Sequence, residues 1–125
     1  MITHYSDPHI SREILIKARA ILSERGWTQR VMAKTAEGIE VHHSDPEACQ
    51  FCALGAVFRA VVEMGPYEAG TIIPKDTAMA RSAAIGALDL VAHQHISVFN
   101  DTHATSKEEV LTVFDMAIGL YEMPT

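Results

Sequence analysis

Two thiols, Cys49 and Cys52, stand three residues apart. Such a pair can begin a zinc site, but zinc wants four ligands in a tetrahedron. His93 and His95 are candidate partners for Cys49 and Cys52, and His42, His43 and His103 are further imidazoles. No second Cys/His pair follows at zinc spacing, so no metal and no cofactor are expected. A dithiol redox role would need a strand leading straight into the helix and an exposed first thiol. Both cysteines are instead expected reduced and buried, as small apolar residues on one helix stripe. On that reading Cys49→Ser is tolerated better than a large replacement at Cys52.

Cys52 with His103 and Asn100 or Asp101 supplies the residue types of a cysteine hydrolase. The thiol needs a base, and the base needs an amide or carboxylate to orient it. The chain order Cys, Asn/Asp, His departs from the papain-like one, and no clear sheet is expected to carry the histidine. The plainer expectation is that Asn100 and Asp101 hydrogen-bond backbone groups where the chain turns into its last helix. Asp101→Ala should then lower stability by about 0.5–2 kcal/mol, the scale of a lost cap. His42-His43 and His93-x-His95 are expected at the surface. Arg59 and Glu63 form an i,i+4 pair in the less favourable order, expected at an element edge or a subunit contact.

Four helices must position these groups. Ser11 can cap the first, over residues 11–25, with Ile14, Leu15, Ala18, Ile21 and Leu22 as its stripe and Gly26 as its stop. Ser6-Asp7-Pro8 offers an additional turn before it. Asp45-Pro46-Glu47 reads as the start of a second helix over 46–64, ended by Gly65-Pro66 and apolar around most of its circumference. A loop leads to a third helix over 77–93, capped by Asp76 or Thr77. Its small residues predict close packing on Gly55 and Ala56, with Gly86 placed for that contact. Residues 93–103 form a connector with a brief strand or helical turn. Thr105 and Ser106 begin two overlapping capping boxes before a last helix over 106–122, ended by Pro124. Residues 27–44 carry extended formers, and a small hairpin turning at 36–38 is expected, with Trp27 anchoring the segment to the core. The fold class is therefore all-α or mostly α: one compact four-helix domain over residues 1–125, with a small irregular or β-hairpin segment between the first two helices.

The chain has 125 residues, enough to bury a core without a staple. Ten basic against 16 acidic residues give a net charge of -6, which argues against nucleic acid and against an anionic membrane surface. Asp7, Arg12, Glu13 and Lys17 interrupt the N-terminal stretch, so neither a secretory leader nor a membrane span is expected, and the compartment implied is the cytoplasm.

Gly26-Trp27, Asp45-Pro46-x-Ala48, Cys52-Ala53-Leu54-Gly55-Ala56, Phe99-Asn100-Asp101, Glu108-Glu109-Val110 and Phe114-Asp115-x-Ala117 occur together. In this combination the chain resembles an uncharacterised small domain family of bacteria and their phages. In that pattern an aromatic-Cys-Ala-x-Gly-Ala element opens a helix and an aromatic-Asn-Asp element precedes the final one. Phe51 and Phe99 stand where Trp is at least as common, and Cys49 lies outside the pattern. The resemblance implies no activity. The function expected is that of a small non-enzymatic binding or regulatory protein for a small molecule or protein. The apolar surplus of the second and third helices suggests a homodimer. The rival readings are the Cys52 hydrolase and a Cys/His metal domain.

Overall fold

The computed structural model describes residues 7–65 and 73–121. Asp7 caps helix α1 (Pro8–Glu24), its carboxylate accepting the His9 N–H at 2.8 Å. Proline fits the first helical position, where its missing N–H would have no partner. The helix thus begins a turn before Ser11, which is a buried residue inside it. The Ser11 hydroxyl donates to the Ala80 carbonyl of the third helix at 2.9 Å. Ile14, Leu15, Ala18, Ile21 and Leu22 form the buried face, the stripe that their spacing predicts.

Strands β1 (Ala33–Lys34) and β2 (Glu40–Val41) make the expected hairpin. Gly38 turns it with φ +85°, a conformation that costs glycine little. A third strand, β3 (Gln50–Phe51), pairs antiparallel with β1 on its other side. The segment around Trp27 then runs parallel to Phe51. Helix α2 is correspondingly short, Ala53–Met64. The Asp45 signal is spent on a single turn: its side chain accepts the Glu47 N–H at 2.7 Å and its carbonyl the Ala48 N–H at 3.0 Å. The backbone beyond it is drawn into the sheet, where the Cys49 N–H donates to Lys34. A helix starting at residue 46 is therefore ruled out.

Helix α3 (Lys75–Ala92) starts after Pro74 with no side-chain cap and ends on His93 at φ +60°. The connector holds a short helix α4 (Ile96–Val98), which widens into a π-helical turn, Phe99–His103. Ser106 caps helix α5 (Lys107–Gly119), and the Glu109 carboxylate reaches back to the Thr105 hydroxyl at 2.6 Å, so the capping signal is used. The described helices thus number five rather than four. The readings on Ser6, Pro66, the following loop to residue 72, Glu122 and Pro124 lie outside the described residues. No described helix is long and apolar enough to cross a membrane.

Helix α1 lies against α2, α3 and α5 around one apolar cluster, with Phe51 and Phe114 its largest fully buried side chains. Helices α2 and α3 do pack on each other, but the closest neighbour of Gly55 is not the third helix. Gly55 is pressed against the Met32 backbone instead, and Gly86 is exposed with nothing within 4 Å of where a Cβ would stand. With no packing reason for glycine there, Gly86→Ala should raise stability by about 1 kcal/mol, the helix-propensity difference. Thermal unfolding checks this, and a lowered midpoint would show that this face is covered in solution.

Candidate functional site

The residues singled out for chemistry meet where β3 runs into α2. Cys52 is the N-cap of α2, and its sulfur accepts the Gly55 N–H at 3.2 Å. Burial pushes the thiol pKa above its ordinary value, outweighing the Gly55 and Leu54 amides that favour thiolate. Cys49 lies on the far side of β3, half-buried. Three extended steps separate the two residues by roughly 10 Å, beyond disulfide reach. They do not share a helix stripe.

Asn100 is fully buried in the π turn and joins three segments. Its side-chain oxygen accepts the Trp27 indole N–H at 2.8 Å and the Ala53 N–H, the first of α2, at 3.0 Å. Its amide donates to the Thr28 carbonyl at 3.2 Å and to the Asp101 carboxylate at 2.9 Å. The same Asp101 oxygen accepts the Arg30 N–H at 2.8 Å, where the backbone sits at φ +72°. Gln29 ties the loop down again by donating to the carbonyls of Asn100 and Ala104. Asn100 and Asp101 therefore serve distant backbone groups, not the turn before α5 as expected. Removing Asp101 should still lower stability on the scale of a lost cap, through the freed Arg30 loop.

No hydrogen bond joins His103 to Cys52 among the described residues. His103 stacks on Phe99, with ring centroids 6.0 Å apart, and its Nδ1 pairs with the Gln94 amide at 3.1 Å. His93 ends α3 and is exposed. His95 caps α4 with an Nδ1 that accepts the Ser97 N–H at 3.2 Å. Among the described residues no three His, Cys, Asp or Glu side chains converge on one point as a metal would need.

What the network does shape is a cleft of about 280 Å³ lined by Arg30, Val31, Met32, Glu40, Cys52, Leu54, Ser97 and Asp101. A second hollow of about 570 Å³ continues from it, lined by Met32, Glu40, Val41, His42 and His43. The two share Met32 and Glu40. Gln29, Arg30, Met32 and Glu40 were not singled out from the sequence. Only the fold brings their loop and strand to the α2 N-terminus, and no local pattern marks them.

A family model for a family of unknown function, DUF6197, matches residues 7–120. The chain belongs to DUF6197. The network and both hollows lie inside the matched span, so they are features of this DUF6197 domain and not of an appended segment. No curated protein and no solved structure matches the chain at a significant level.

Arg59 and Arg81 each lie over an aromatic ring, Phe51 and Phe58 respectively. Arg81 lies 4.4 Å from the Phe58 ring centroid, and His43 lies 5.2 Å from Phe58 on ring centroids. Arg59 donates to the carbonyls of His43 and Asp45 and to Glu63. Glu63 also accepts from Arg25 and lies 3.5 Å from the Lys17 ammonium, and its hydrogen bonds from Arg25 first and Arg59 second hold its carboxyl down to about 2. This cluster ties α2 to α1.

Burial, with repulsion from His42, Arg81 and Arg59, lowers the His43 pKa to about 4. Between that value and its ordinary 6.5 the unfolded chain binds a proton that the folded chain does not. His43 therefore contributes fully above pH 6.5, and its contribution drains away as the pH falls toward 4. At about 1.4 kcal/mol per decade of pH a sealed group would account for about 3 kcal/mol. His43 is half-buried and water screens it, so about 1–2 kcal/mol is expected. Urea unfolding at pH 7 and pH 4.5 checks this: the drop should shrink in His43→Gln. The Glu63 contribution is lost separately, only as the pH falls below 4.5.

Proposed function

We propose that this chain is a non-enzymatic binding protein of the cytoplasm whose ligand, a small organic molecule, lies in the groove formed by the two hollows. The observation that carries this reading is the commitment of the reactive groups. Cys52 is a buried cap with a raised pKa, and Asn100 spends its amide on four structural hydrogen bonds. His103, the imidazole that would serve Cys52 as base, is engaged with Gln94 and Phe99. A hydrolase needs thiol and base within reach of one another. The Asp101 carboxylate accepts the N–H of Arg30, which lines the cleft in a left-handed conformation, and such strain is characteristic of ligand clamps. The two volumes together reach the range of small-molecule pockets.

A fragment library screened by amide NMR tests this. Hits should shift residues 30–32, 40–43, 54 and 101 together. p-Nitrophenyl acetate should be hydrolysed no faster by the wild type than by Cys52→Ala. Shifts scattered over the surface would contradict the reading, and Cys52-dependent turnover would put the hydrolase first.

A further inference from the structure

The larger hollow has a chemical character of its own. The His42 and His43 rings lie 4.0 Å apart on centroids, tilted by 35°, and His43 is backed by Phe58. His42 Nδ1 is engaged by Ser44, 2.7 Å from its hydroxyl and 3.2 Å from its backbone nitrogen. Met32 contributes a polarisable thioether, and Val41 an apolar wall. Glu40 is the one carboxylate among the lining residues, and no cation lies within ion-pair distance of it among the described residues. Lys34 stands opposite Glu40 across the β1–β2 ladder, but it lines neither hollow. Glu40 also faces the smaller cleft, where Asp101 adds a second carboxylate against the single cation of Arg30. A π-rich, thioether-lined wall beside an unpaired carboxylate is complementary to a flat ring carrying a positive charge.

We propose that the hollow between Met32, Glu40 and the His42-His43 pair binds a small aromatic amine, with its ring on the imidazoles and Met32 and its ammonium on Glu40. This rests on the reading of the groove as a ligand site and adds the class of ligand. The test uses three probes of one shape: phenethylamine, 2-phenylethanol and 3-phenylpropionate, which are cationic, neutral and anionic at pH 8. Each is titrated into the full chain by amide NMR. Phenethylamine should shift residues 32 and 40–43 and bind at least ten-fold more tightly than the alcohol, with the propionate weakest. Glu40→Gln should bring the amine down to the affinity of the alcohol. Lys34→Gln, which lowers the positive charge across the ladder from Glu40, should tighten the amine further and leave the alcohol unchanged. Equal binding of amine and alcohol at these residues would overturn the charge assignment while leaving the groove a ligand site. No shift at 32 and 40–43 with any probe would overturn the inference. The wider reading is then decided separately, by the fragment screen at the smaller cleft.

Discussion

Asn100→Ala should lower stability by about 3–5 kcal/mol, among the largest effects of any single substitution in this chain. The cost is not the mean worth of a hydrogen bond. Truncation strips partners from the Trp27 indole, the Ala53 N–H and the Thr28 carbonyl at once, and each group left dry and unpaired costs about 1–3 kcal/mol. A void at a fully buried position adds to it. A small domain has only about 5–15 kcal/mol to lose, so the variant should sit near the edge of folding at 37 °C. Asn100→Asp separates shape from hydrogen bonding. Its carboxylate could still accept from Trp27 and Ala53 but would face the Thr28 carbonyl and Asp101 without a proton to donate. It should therefore lose stability comparably at pH 7. Urea unfolding measures both. A loss under 1 kcal/mol in Asn100→Ala would mean that the amide is spare, and would reopen a catalytic role for it.

Gly55→Ala is the second large effect. A Cβ at this position would overlap the Met32 carbonyl oxygen and lie 2.9 Å from its carbonyl carbon. That oxygen cannot swing away freely, because it accepts the Cys52 N–H at 3.2 Å. Overpacking against backbone typically costs about 1–3 kcal/mol, and an oxygen already held by Cys52 places this case at the upper end. The strain falls on residues 31–32, which form the wall of the cleft. Loss of stability and loss of phenethylamine binding should thus appear together in this variant, the latter read by NMR below its melting temperature. A variant as stable as the wild type would show that the Met32 loop gives way at little cost.

Much of the framework is written locally. The α1 stripe from Ile14 to Leu22, the Ser106 box before α5 and the turn ending at Gly38 are short-range signals, and the chain uses each of them. The second helix shows where such signals stop. Asp45-Pro46-Glu47 is a real turn signal, but Gln50 and Phe51 are claimed by partners far along the chain, β1 and the Gly26–Thr28 backbone. Competition of that kind leaves no mark in the local pattern. The helix starts instead at a cysteine cap, a residue outside the usual capping set. The site was half legible for the same reason. Asn100, Asp101 and Cys52 stood out by residue type, and the fold does bring them to one place. Arg30, Met32 and Glu40 did not stand out, because an arginine, a methionine and a glutamate in an extended segment look like solvated surface until a tertiary fold gives them neighbours. His103 stood out too, but its Nδ1 pairs with Gln94, which no spacing rule reveals.

Hydrogen exchange at two protons tests the central claim most directly. If the Asn100 amide is the clamp between the Trp27 loop, the π turn and the start of α2, the Trp27 indole N–H and the Ala53 N–H should exchange together. Both should be as slow as the amides in the middle of α2, where opening approaches global unfolding. Fast exchange of either, while the α2 interior stays protected, would contradict it.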